Sequence, residues 1–174
     1  MNRVLLHVCC GPCAIGPLAT LRAEGLTVTG FFANANLYPP AEHGRRLAAA
    51  RRLAEAEGLE LGVERPDATG YARAVSGDPP DRCLACYRFR LDRVAAETAR
   101  RDLDGFTTSL LASPHQGHEL VAAAALETAR RHGVAFLYRD FRPGWAGSVA
   151  RSKELGLYRQ RYCGCHWSLA DREE

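Results

Sequence analysis

The sequence predicts an α/β fold, a parallel sheet flanked by helices, and three observations predict it. Apolar runs of strand length recur at residues 4–8, 26–33, 59–63, 105–111 and 134–138. Segments with apolar residues at helical spacing separate them, so the first three runs read β-α-β-α-β. That order is satisfied by a parallel sheet with right-handed crossovers. The first strand also runs directly into Cys9-Cys10-Gly11-Pro12-Cys13, which puts three cysteines at a strand's carboxyl end, where open α/β sheets gather their ligands.

Each element has a local reason. Val4, Leu5, Leu6 and Val8 supply the first strand. Gly11 loosens the turn after it, and Pro12 suits a first helical position, where a missing N–H costs nothing. Ile15, Leu18, Ala19 and Leu21 mark a helix over 14–25 with Gly25 as its stop. Residues 26–33 are β-rich, and the Asn and Pro content of 34–40 makes a loop. A helix rich in alanine and arginine is expected over 42–57, ended by Gly58, with a short third strand at 59–63. Residues 69–80 read as an irregular insertion, because Gly77, Pro79 and Pro80 break any helix. A helix led by Cys83 and Cys86 runs to residue 101, then come a strand at 105–111 and a loop at 112–116. A helix over 119–132 and a strand at 134–138 follow, and Ser152-Lys153-Glu154 forms a short helix before the tail.

A chain of 174 residues reads as one compact domain, residues 1–174, long enough to bury a real core. Hydrophobic residues make up 47% and charged residues 25%, near the averages for soluble proteins. No run of eighteen apolar residues suggests a membrane span. Met1-Asn2-Arg3 passes straight into the strand without a signal-peptide pattern, so a cytoplasmic location is expected. The net charge of +3 permits nucleic acid without demanding it.

The seven cysteines fall in groups: Cys9, Cys10 and Cys13; Cys83 and Cys86; Cys163 and Cys165. In a reducing compartment such grouping points to metal binding or redox catalysis rather than a disulfide framework. A C-x-x-C at a helix start lets two thiolates face one metal from a single turn. With Cys9 and Cys10 it makes four soft ligands, which suit a structural zinc or a 4Fe-4S cluster. Adjacent cysteines crowd one small tetrahedral ion, and the site lies at the active end of the sheet; both arguments favour iron–sulfur. Cys163 and Cys165 can close only a tight, strained ring, which suits a labile redox pair; a second metal site or two ordinary thiols is the alternative. Cys13 is open between spare ligand, thiol beside the cluster and packed helix residue.

Asp140 follows the fifth strand and so falls on the ligand-binding edge, or else pairs with Arg139 or Arg142. His7, inside a strand, reads as a satisfied core histidine. His115 and His118 follow a strand end and are better placed for chemistry, and His166 adjoins Cys165; His43 and His132 read as solvated helix residues.

Six motifs occur in one order: His7-Val-Cys-Cys-Gly-Pro-Cys13, Arg82-Cys-x-x-Cys-Tyr-x-x-Arg-Leu91, Phe106-Thr-Thr-Ser-Leu-Leu-x-Ser-Pro-His-Gln116, Asp140-Phe-Arg142, Ser152-Lys-Glu154 and Tyr158-Arg-Gln-x-Tyr-Cys-Gly-Cys-x-x-Ser168. Over residues 4–168 the chain resembles the cobalamin-independent epoxyqueuosine reductases. The resemblance implies a Rossmann-like sheet related to adenine nucleotide α-hydrolase (ATP-pyrophosphatase) domains. It implies a 4Fe-4S cluster held by Cys9, Cys10, Cys83 and Cys86, and a redox-active Cys163/Cys165 pair. An additional mononuclear iron, with ligands unassigned in this chain, is associated with the same family. The implied reaction removes the epoxide oxygen of epoxyqueuosine at the wobble position of tRNA, with electrons from a separate donor. Two departures bear on substrate contact: the family often shows Glu-Tyr where this chain has Glu42-His43, and a glycine-rich stretch where it has Asp78-Pro79-Pro80-Asp81.

For tRNA phosphates the candidates are Arg45, Arg46, Arg51, Arg52, Arg151, Lys153, Arg159 and Arg161. For an unstacked base they are Tyr38, Tyr87, Tyr158 and Tyr162. The rival readings are a zinc-stapled RNA-binding module, an ATP-pyrophosphatase-like tRNA-modifying enzyme and an electron-transfer subunit. The second lacks a glycine- and serine-rich pyrophosphate loop after the first strand.

Overall fold

The computed structural model describes residues 1–173. Five parallel strands, β1 (Arg3–His7), β2 (Thr27–Phe32), β3 (Leu61–Val63), β4 (Gly105–Thr108) and β5 (Ala135–Phe136), form one sheet in the order β3-β2-β1-β4-β5. β1 is central, with Val4 in register with Val28 on one side and Gly105 on the other. Burial on both faces explains its uninterrupted apolar run, for Val4, Leu5 and Leu6 are wholly buried.

The chain moves outward from β1 to β3 and then reverses, and right-handed crossovers therefore send helices to both faces. α1 (Gly11–Ala23), α2 (Pro40–Glu57) and α6 (Trp145–Glu154) pack together, while α4 (Asp81–Arg100) and α5 (His118–His132) pack on each other. The core joins Leu21 and Leu53 from the first group to Leu91, Val94 and Ala125 from the second across Leu5, Phe32 and Phe106. Pro12 takes the first turn of α1 as expected, and Gly58 and Gly133 end α2 and α5 in the left-handed conformation. Among the described residues, no helix is long and apolar enough to cross a membrane.

Several elements differ from the sequence reading. The expected irregular insertion begins with a helix, α3 (Ala68–Ala74), nucleated where the Asp67 side chain accepts the Gly70 N–H at 2.8 Å. β4 stops at Thr108, because the Thr108 hydroxyl accepts the Leu110 N–H and turns residues 109–112 into a 3-10 helix. β5 is two residues long, and α6 begins seven residues ahead of the expected short helix. A further helix, α7 (His166–Glu173), follows the Cys-Gly-Cys tail. His43 is not solvated: half-buried, it packs edge-on against Phe32.

Candidate functional site

β1 ends two residues before Cys9, and α1 opens directly after Cys10. Cys9, Cys10 and Cys13 are buried, and their Sγ atoms lie within 4.8 Å of one another. The Cys10 sulfur caps α1 by accepting the Cys13 N–H at 3.3 Å. The Ser109 hydroxyl, beyond β4, accepts the Cys9 N–H at 2.9 Å and donates to Cys9 Sγ at 3.2 Å. From the tail, Gln160 Nε2 donates to Cys10 Sγ at 2.9 Å and Cys13 Sγ at 3.3 Å. Hydrogen bonds from Cys10 and Cys13 hold the Cys9 thiol well below its usual range, with Arg90 adding to the effect. Burial pushes Cys10 up, and donation to Cys10 and Cys9 pushes Cys13 up. The three sulfurs therefore differ in acidity, Cys9 being drawn down and Cys10 and Cys13 pushed up. This buried group is able to hold a metal.

Cys83 is half-buried and Cys86 buried on the first turns of α4. Neither joins the close trio, and burial pushes the Cys83 thiol up. One turn beyond Cys86 lies Arg90, only 3% exposed. Its Nη2 donates to Asn34 Oδ1 at 2.6 Å, and Asn34 Nδ2 donates to the Val8 carbonyl at 2.9 Å. Arg90 Nε has no partner, and the sulfurs of Cys86, Cys9 and Cys163 are the foremost negative groups acting on it.

The tail is clamped by α2. Glu42, wholly buried, accepts Arg46 Nε at 2.7 Å and the Tyr158 hydroxyl at 2.7 Å. Arg46 in turn donates to the carbonyls of Tyr162 at 2.9 Å and Cys163 at 3.0 Å. The Gly164 carbonyl accepts the Tyr38 N–H at 2.8 Å. Gly164 has φ 122, a backbone conformation that demands glycine, and a Cβ there would also push Leu37 Cδ2 aside from 2.5 Å. Cys163 and Cys165 are separate thiols. Donation from Cys163 draws Cys165 down to about 5, helped by Ser168, whose N–H reaches Cys165 Sγ at 3.4 Å; Cys163 is pushed up in return. Cys165 thus stands to α7 as Cys10 does to α1, a sulfur capping a helix start.

A cavity of about 540 Å³ lies between the carboxyl ends of β1 and β4 and this tail. Its wall includes Cys9, Cys13, Arg90, Gln116, Gln160 and Cys163. Two of the three cysteine groups therefore open on one space. Gln116 Nε2 lies 3.8 Å from Cys163 Sγ, and the Gln116 carbonyl oxygen accepts the Tyr87 hydroxyl at 2.7 Å.

The other expected residues divide. Asp140 is not on the cavity wall; it is exposed and chelated by Arg142 at 2.8 and 2.7 Å, which holds its carboxyl at about 2. That is the ion pair offered as its alternative. His7 is buried, bonded to Thr108 Oγ1 at 2.8 Å and the Ala33 carbonyl at 3.1 Å, and burial lowers its pKa to about 4. It is the satisfied core histidine the sequence suggests. His115 reaches the wall edge-on to Trp145, His118 bonds the Tyr138 hydroxyl at 2.9 Å, and His166 stacks on Trp167. His132 is half-buried against Asp92 at 2.9 Å. Two candidates for tRNA contact drop out: Arg46 is committed to the clamp, and Tyr87 is buried. Sequence reasoning gave no role to Ser109, Gln160 or Arg90. All three stand inside the motifs quoted above, and Arg90, four residues after Cys86, also shares its helix face.

Comparison with known proteins gives a consistent result. The family described as Epoxyqueuosine reductase QueH matches residues 4–171. The chain is 36% identical over 172 residues to the epoxyqueuosine reductase QueH of Dehalococcoides mccartyi, covering 98% of this chain and 94% of the relative. It is 34% identical over 184 residues to that of Thermotoga maritima, covering 100% and 94%. Among solved structures, a chain described as a predicted subunit of tRNA methyltransferase from Methanocaldococcus jannaschii superposes with TM-score 0.63 at 12% identity, covering 100% of this chain and 89% of that one. The last likeness is one of fold.

Proposed function

Because this chain belongs to the epoxyqueuosine reductase QueH family, an oxidoreductase family acting on epoxyqueuosine, we propose that its cavity receives the wobble nucleoside of tRNA and that Cys163 and Cys165 deliver the electrons that remove the epoxide oxygen. The observation that carries this reading is the common cavity onto which Cys9 and Cys163 both open. Two thiols and one epoxide give one disulfide, one alkene and one water: the dithiol loses two electrons and two protons, both C–O bonds break, and the oxygen leaves protonated. A separate electron donor restores the dithiol. Cys165, drawn down to about 5, is the more acidic of the pair; as the thiolate it has already given its proton to solvent, which returns one to the departing oxygen, and Cys163 supplies the other beside the cavity.

The donor set fits an iron–sulfur group. The buried trio on the β1–α1 turn could hold a metal, Cys83 and Cys86 add two thiols on α4, and the cavity that Cys9 lines also holds a guanidinium whose Nε is orphaned, a setting that suits an anionic metal–thiolate. Cys9, Cys10, Cys83 and Cys86 would hold a 4Fe-4S cluster. Bound there, it would pass electrons singly and present a Lewis acid to the departing oxygen. Ser109 and Gln160 orient the trio of sulfurs, and Gln116 steadies Cys163. One observation favours a second reading of the metal. A tetrahedral ion with bonds of about 2.3 Å holds its sulfurs about 3.8 Å apart, and Cys9 and Cys10 stand at 4.0 Å, so a mononuclear iron or zinc on Cys9, Cys10 and Cys13 competes for the site.

For the tRNA backbone, a groove of about 260 Å³ shares Arg159, Arg161 and Tyr162 with the cavity and adds Arg172 and Tyr158. Among the described residues none of these three arginines forms an ion pair, which leaves them free for phosphates.

Anaerobic purification followed by iron, sulfide and zinc quantitation, then turnover of tRNA bearing epoxyqueuosine, tests the proposal. The expected result is near-equal iron and sulfide, loss of one oxygen from the nucleoside, and a Cys163→Ser variant that keeps its metal but is inactive. A variant with full activity overturns the relay. Zinc without sulfide overturns the cluster in favour of the single ion.

A further inference from the structure

Arg90 is an unusual residue for its position. A guanidinium stays charged in proteins, and taking it out of water without a counter-charge costs several kcal/mol. The other wholly buried ionic group solves this problem locally, Glu42 with Arg46 at 2.7 Å. Arg90 does not. It is 3% exposed, and among the described residues no carboxylate comes within ion-pair distance. Its one protein acceptor is the neutral Asn34 amide oxygen, and its Nε is buried with nothing to donate to. Cys9 and Cys163 line the same cavity as Arg90, and Cys86 stands one turn back on α4, so sulfurs from all three cysteine clusters share its neighbourhood.

We propose that Arg90 is the internal counter-cation of a metal–thiolate group in this basin, a positioning residue whose charge the protein leaves unpaired so that the bound metal site completes it. The inference rests on the metal reading above and deepens it. Thiolates gathered round a metal carry net negative charge into the buried wall of the cavity, and one fixed positive charge beside them lowers the free energy of the loaded state. In the metal-free protein the same charge faces cysteines that are mostly protonated, and it brings less benefit. Arg90 should therefore contribute to the loaded protein far more than to the empty one, which neither a packing role nor a role in catalysis alone would produce. Asn34 provides an internal control, because it anchors Arg90 to the Val8 carbonyl without supplying charge.

The test compares wild type, Arg90→Lys, Arg90→Met and Asn34→Ala, each prepared anaerobically in metal-loaded and metal-free form. Melting temperature and the rate of iron release to a chelator are read for each. Arg90→Met is expected to lower the melting temperature of the loaded protein more than that of the empty protein, and to speed iron release at least about tenfold. Arg90→Lys and Asn34→Ala should release iron close to the wild-type rate. Equal loss of melting temperature in both forms, or an Arg90→Lys variant that behaves as Arg90→Met does, overturns the proposal and assigns Arg90 to packing. Iron release unchanged in Arg90→Met overturns it as well. Wild-type protein that takes up no metal sinks the metal reading and this role together, whereas metal uptake with insensitivity to Arg90 sinks this role alone.

Discussion

Glu42 and Gly164 never touch the cavity, yet they decide where Cys163 sits. Glu42 is buried beneath Arg46, and burial alone would raise its pKa; Arg46 and the Tyr158 hydroxyl more than offset this and leave it lowered from 4.5. A carboxyl lowered on folding stabilises the native state above its unfolded pKa, and that contribution is lost as pH falls through the folded value. Wild-type protein should therefore release its tail on acidification below about pH 4.5, read as faster hydrogen exchange, relative to its intrinsic rate at that pH, of the Tyr38 amide that the Gly164 carbonyl holds. Glu42→Gln should show the fast rate at neutral pH and lose about 3–5 kcal/mol in urea unfolding, because Arg46 is left buried without a partner. Gly164→Ala acts on the same tail by another route: φ 122 strains any residue with a Cβ, and the Leu37 side chain would have to move aside. It should lose turnover while its iron content stays at the wild-type level.

At the scale of elements, α4 is the part on which most depends. Its i, i+3, i+4 spacing puts Cys83, Cys86 and Arg90 on one stripe, with Leu91, Val94 and Ala95 packed into the core beside them. Leu91 is wholly buried, so Leu91→Ala should cost about 2–5 kcal/mol in chemical denaturation and slow iron uptake by loosening the stripe. This helix was legible in the sequence, as were β1, the Pro12 start of α1 and the glycine end of α2, because each depends on neighbours within a few residues. α3 is hidden in the sequence because the breakers at 77–80 mask the Asp67 cap ahead of them. β4 is shorter than its apolar run because Thr108 diverts a pattern that otherwise continues through Leu111. The site divides by the same rule. Cys9, Cys10, Cys13, Cys83 and Cys86 announce themselves by spacing. Ser109 and Gln160 reach their sulfurs from 100 and 147–150 positions away, a relation no local pattern carries.

For the molecule as a whole, the sheet order gathers at one edge what the chain keeps apart. β1 and β4 are neighbours whose helices leave to opposite faces, which opens the crevice between Cys9 and Ser109. The tail closes that crevice and presents Arg159, Arg161 and Arg172 beside it. Replacing Arg161 and Arg172 with alanine should weaken tRNA binding and lower the salt dependence of log K by about one for each phosphate that is no longer neutralised, with iron content untouched. The hydrogen bond between Cys10 and Gln160 has one more consequence. Synthesis runs from the amino terminus, so the ribosome presents Cys9, Cys10 and Cys13 to the cell long before Gln160 exists to cover them. Until translation has passed that residue, these thiols meet oxidants and stray metals uncovered, and they are sheltered only when the nascent chain folds its tail back over them.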